Sequence, residues 1–229
     1  MERRRAVRYS CFDLKIALVA ISPHLDDVVL GCAGLVAAHP GALVVTVTAG
    51  RPVPRPPLTD WDRKCGFGEG DDVVGARRKE DEAALKLLGA RPRWLDFLDH
   101  QYGPPPPHED VVKAIAEAIE GADIVASPFG LFHEDHVLTA RACYEVARHT
   151  VPRGRWLVYE DAIYRATSGR TKDALRDLRN DGFVPRAVTF PEPREKLKAT
   201  LCYPSQVRGL GRLLEDAYCP ERYWELAVR

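Results

Sequence analysis

KIALVAISPHLDDVVLGCAGLVAAHPGALVVTVTAG, residues 15–50, is the stretch whose reading decides the fold. Its two ends, KIALVAIS (15–22) and ALVVTVTAG (42–50), are rich in Val, Ile and Ala and lack polar alternation. Strands buried on both faces have that pattern. Between them, DDVVLGCAGLVAAH (26–39) has the length and the small apolar residues of a packed helix. Strand, helix and strand in that order make a βαβ unit, with parallel strands and a right-handed crossover.

The alternation continues outward from this unit. Further strands are expected at RWLDFLD (93–99), DIVASP (123–128), WLVYED (156–161) and, more weakly, AVTF (187–190), with helices at 73–88, 109–121 and 136–149. The expected fold is α/β, a Rossmann-like, mostly parallel sheet with helices on both faces. With 229 residues, 45% of them hydrophobic, one domain over 1–229 accounts for the chain. Two segments break the rhythm: RPVPRPPLTDWDRKCGFGEGDD (51–72) and the tetraproline DHQYGPPPPHED (99–110). Loops of this length in a compact domain are functional or disordered. Trp61, Cys65 and Phe67 are apolar anchors that a disordered linker does not need, so both segments are read as walls of a substrate pocket.

Composition excludes several classes. Lys plus Arg and Asp plus Glu both total 33, so no global positive charge calls for nucleic acid. Six dispersed cysteines, without CxxC spacing, suggest neither a thiolate zinc knuckle nor a disulfide framework; reduced thiols in a cytoplasmic protein are expected. The charged start followed by IALVAI superficially resembles a signal peptide, but the apolar run is short and leads directly into PHLDD. No run approaches the roughly 20 apolar residues of a membrane span. Oligomerisation is left open.

Two clusters carry the chemistry. His24, Asp26 and Asp27 follow the first strand at its carboxyl end, where open α/β sheets place their ligands. A pair of aspartates can simply cap a helix, but capping has no use for the imidazole beside them. His133, Glu134, Asp135 and His136 follow the run IVASP and open the next helix. Across the top of the sheet the two clusters can meet, as zinc requires of ligands drawn from separate segments. Asp135 either fixes a histidine tautomer or caps the helix. Arg77 offers a rigid fork of donors to sugar hydroxyls or a phosphate, with Glu80 one turn on to hold it. Asp60, Trp61, Asp62, His100 and Tyr102 supply the aromatic and polar mixture of a sugar pocket. Tyr159, Glu160 and Asp161 end a strand and face the same side, their acids free to cap or to pair with Arg165.

SPHLDD (22–27) resembles the AHPDDE signature of the LmbE-like, or PIG-L, de-N-acetylases, and HEDH (133–136) their HxDH element. The likeness extends to RRKEDEAALKLLG (77–89) and YPSQ (203–206), with Ser205 and Gln206, and so covers most of the chain. It implies one Zn2+ per chain held by His24, Asp27 and His136, with Asp26 as general base and His133 serving the tetrahedral intermediate, through a charge-assisted hydrogen bond if it is protonated. The implied reaction is hydrolysis of the linear amide of an N-acetylated amino sugar or its glycoside, such as N-acetylglucosamine. Leu25 and Val28 depart from the signature, standing where it has proline and an acid. A non-catalytic sugar-binding module and a metallophosphoesterase are the alternatives; a dinucleotide site is disfavoured because GCAG (31–34) matches only part of GxGxxG.

Overall fold

The computed structural model describes residues 17–151, 154–191 and 193–228. Cys11, the charged N-terminal stretch and the first two residues of the expected first strand lie outside the described residues. A seven-stranded sheet runs in the order β3-β2-β1-β4-β5-β7-β6. Its strands are β1 (Leu18–Ser22), β2 (Leu43–Thr46), β3 (Arg91–Trp94), β4 (Ile124–Pro128), β5 (Arg155–Tyr159), β6 (Phe183–Val188) and β7 (Tyr223–Val228). The pairs from β3 through β5 are parallel, whereas β7 runs antiparallel between β5 and β6.

Alternate residues of the central strands feed two cores. Leu18 and Ala20 join one with Val29, Cys32, Leu35 and Leu85, from α1 (Asp27–Ala37) and α3 (Val73–Leu87). Val19 and Ile21 join the other, with Val111, Ile115, Cys143 and Val146 from α4 (His108–Ala118) and α5 (Glu134–Thr150). Burial on both sides is why these strands read as continuous apolar runs. Among the described residues no helix is long and apolar enough to cross a membrane. The five described cysteines are free, three of them buried.

Several boundaries differ from the sequence reading. The third strand lies at Arg91–Trp94, not 93–99, because its ladder is set by the four-residue β2; beyond Trp94 only an isolated bridge, Thr48 with Asp96, remains. Edge position explains why Pro92 is tolerated there. The weak sixth strand lies earlier, at Phe183–Val188, and β7 was not anticipated. The 51–72 insertion contains a short helix, α2 (Asp60–Cys65), opened by a reciprocal cap between Thr59 and Asp62. After β5 come α6 (Arg170–Asn180), α7 (Lys196–Thr200), α8 (Pro204–Leu210) and a 3-10 helix (Gly211–Tyr218), all unforeseen.

Candidate active site

The carboxyl ends of β1 and β4 bring three candidate ligand atoms together, and that of β5 supplies a carboxylate behind one of them. His24 Nδ1 lies 3.3 Å and His136 Nε2 3.2 Å from the same oxygen, Asp27 Oδ2. The outward nitrogens are fixed by acceptors: His24 Nε2–H donates to Asp135 Oδ2 at 2.9 Å, and His136 Nδ1–H to Asp161 Oδ1 at 2.6 Å. In the neutral form of each imidazole, the form that binds a metal, the carboxylate thereby selects the tautomer that leaves the inward nitrogen with a free lone pair. His136 Nε2 is buried and, despite its closeness to Asp27, has no partner of hydrogen-bond geometry. A buried, unsatisfied lone pair facing a carboxylate and a second imidazole lone pair fits a divalent cation with nitrogen and oxygen ligands.

Local chain geometry frees Asp26 for other work. Ser22 Oγ accepts from Val28 N, so the start of α1 is tied to a serine, and Asp26 makes no side-chain cap. Asp26 itself has φ 140°, a conformation L-residues rarely adopt, and Ile163, also a non-glycine residue at positive φ, lines the same cavity. Strain of this kind persists only where surrounding contacts over-determine it. Ile163 N is held by Asp216, which also pairs with buried Arg165 at 2.9 Å. Val28 is packed in the core, and Ser22 and Asp135 brace the first motif in place of an acid at that position.

Electrostatics separates the two aspartates. Burial and the neighbouring charge of Asp27 push Asp26 up to about 8, partly offset by Arg77. Asp27 is buried too, yet His136 and His24 hold it well below the usual carboxylate range. Burial opposes a charge on His136, but Asp27 and Asp161 outweigh it and raise this imidazole to about 9. His24 is likewise raised against burial, chiefly by Asp135. His133 goes the other way, down to about 4, through burial and the positive charges of His24 and His136. Burial and these charges thus disfavour the protonated form of the ring in the metal-free centre. Asp135 N donates to His133 Nδ1 at 3.3 Å, so the ring proton sits on Nε2.

An open cavity of about 310 Å³ covers this centre, lined by His24, Asp26, Asp27, Arg77, Asp99 and His133, with Trp61, Ile163, Tyr164, Leu210 and Leu213 as its less polar wall. Arg77 is buried, 3.7 Å from Asp99, and its Nε is unpartnered. Glu80 does not hold it, as had been expected. That carboxylate accepts from Ser205 N and Oγ instead, capping α8 and thereby placing Gln206 in the pocket wall. Two expected substrate contacts lie elsewhere. Asp60 is fully exposed and pairs with Arg63 at 3.6 Å, because it occupies the outer face of α2. Tyr102 donates to buried Asp62 and faces a neighbouring cavity between the 51–72 insertion and α3. Asp135 is not the cap of α5; His133 is. Arg165 pairs with Asp216 rather than with Glu160 or Asp161. Sequence reasoning missed Asp99 and the tautomer-setting role of Asp161; for Asp161, its place just after β5 was the available signal.

Known proteins share this fold. Residues 19–147, more than half of the chain, match the profile of the PIG-L family, described as GlcNAc-PI de-N-acetylase. A zinc-inhibited form of teicoplanin deacetylase superposes with TM-score 0.75 at 25% identity, covering 93% of this chain and 98% of that one. A deacetylase of the A40926 pseudoaglycone gives 0.69 at 25% identity over the same shares. N,N'-diacetylchitobiose deacetylase from Pyrococcus horikoshii shares the fold, with TM-score 0.56 at 19% identity over 94% of this chain and 85% of its own. No curated protein matches the chain. With both sequence elements meeting at one centre and the profile spanning them, the chain belongs to the PIG-L, GlcNAc-PI de-N-acetylase family.

Proposed function

We propose that this chain, as a single catalytic domain, hydrolyses the N-acetyl amide of an amino sugar or its glycoside to acetate and a free amine. In this reading His24, Asp27 and His136 hold one zinc ion and Asp26 is the general base. The observation that carries it is the buried, unpartnered His136 Nε2 beside Asp27, His24 and Asp26, in a member of a de-N-acetylase family. Neighbours named as deacetylases of teicoplanin and of the A40926 pseudoaglycone, matched over 93% of the chain, support a glycoside as substrate.

His24, Asp27 and His136 would hold the divalent ion, which would supply polarisation of an amide carbonyl, acidification of water and a charge favouring the ionised form of Asp26. Ionised Asp26 takes the proton of the attacking water and returns it to the departing amine. Neutral His133 donates its Nε2–H to the carbonyl oxygen as negative charge develops there; loss of such a donor costs about 3 kcal/mol. Asp135 and Asp161 keep the two ligand imidazoles in their working tautomers. Arg77 and Asp99, side by side in the pocket, offer donors and an acceptor to sugar hydroxyls, and Trp61 offers an apolar face. Free thiols at all described cysteines fit a cytoplasmic location.

The test is to incubate zinc-loaded protein with a panel of N-acetylated glycosides and measure acetate and free amine. Equal release of both from at least one glycoside is expected; binding without release on every member would leave a sugar-binding module.

A further inference from the structure

A second group of ligand atoms lies just outside the first. Asp99, His100 and Asp135 each offer one ligand atom, all within 4.8 Å of one another. His100 Nδ1 is 3.5 Å from Asp99 Oδ1 and 3.5 Å from Asp135 Oδ2. Ligands about 2.1 Å from a tetrahedral zinc are separated by about 3.4 Å, and both distances match such an edge. The first centre shows the same spacing, 3.2 and 3.3 Å around Asp27. One nitrogen and two carboxylate oxygens suit a borderline cation. His100 is partly exposed and reachable from solvent, whereas His136 is buried.

We propose that Asp99, His100 and Asp135 form a second, weaker divalent-cation site whose occupancy inhibits the enzyme. It rests on the proposed function only for its consequence, since the ion count does not depend on activity. The site is weaker because Asp135 Oδ2 already accepts from His24 Nε2 and from His100 N at 3.2 Å. An ion there competes with the hydrogen bond that fixes the His24 tautomer. It also draws Asp99 away from Arg77 and fills part of the cavity that His100 and Asp99 line. Each effect lowers turnover.

The experiment titrates zinc chloride into the purified protein and into His100→Ala and His136→Ala, reading bound ions per chain by calorimetry and metal analysis, with circular dichroism to check folding. Wild type is expected to bind a tight ion and then a weaker one, with activity rising and then falling several-fold. His100→Ala should keep the tight ion alone and, relative to its own maximum, lose the inhibitory phase. His136→Ala should lose the tight ion and keep the weaker. One ion per chain in wild type at excess zinc, or two in folded His100→Ala, overturns the proposal. If no glycoside is hydrolysed, the functional reading fails while the ion counts still decide the second site.

Discussion

Neighbouring aspartates with opposite electrostatics make the sharpest predictions at the scale of the residue. Asp26→Asn is expected to retain zinc while turnover falls roughly 100-fold or more, the scale of a lost general base. His24→Ala and His136→Ala should lose the tight ion, as metal analysis would show. Asp161→Asn leaves all three ligands present but lets His136 turn, and zinc affinity should fall roughly 10- to 100-fold. The same histidine sets a pH dependence. Its imidazole, raised to about 9 in the metal-free protein, contributes stability that is fully present below the ordinary value of about 6.5 and lost as pH rises through 9. Metal-free protein should therefore lose melting temperature across that window. The zinc-bound form, whose His136 has already shed its proton, should not follow it, so the melting-temperature gain on adding zinc widens with pH.

For the elements, the sequence was legible where burial is symmetrical and illegible where it is not. Runs such as LVAIS and IVASP are flanked by helices on both faces, so their apolar continuity announces them. The strand Phe183–Val188 and its partner Tyr223–Val228 are half-buried and mix charge with aromatics. The two signature clusters could be placed because strand ends are fixed by the runs before them. Asp60 and Tyr102 could not, since the direction of a side chain within an insertion depends on where its short helix docks. That docking is tight: a Cβ at Gly209 of α8 would stand 2.6 Å from Cys65 Sγ and 3.1 Å from the Trp61 ring. Gly209→Ala should accordingly cost about 1–3 kcal/mol and shift α2. Trp61→Ala, by contrast, should raise KM for a large glycoside while a minimal N-acetylglucosamine substrate and the zinc content change little. Equal losses on both substrates would make Trp61 structural.

Across the whole molecule, chain order and spatial order disagree at one place: β7 sits between β5 and β6 although it is made after both. On the ribosome, the strands from β3 through β5 can pair as they emerge, because each has its neighbour already synthesised. Helix α6 and β6 must wait without a seat in the sheet, while β5 presents an open edge of unpaired backbone groups. The interval is the time taken to add residues 189–228, several seconds at synthesis rates of about 5–20 residues per second. The proposed ligands His24, Asp27 and His136 all precede that interval, so zinc capture and sheet completion are separable events in the life of a nascent chain. Ribosome-stalled chains ending before Tyr223 should recruit holdase chaperones, and those stalled well beyond Val228 should release them.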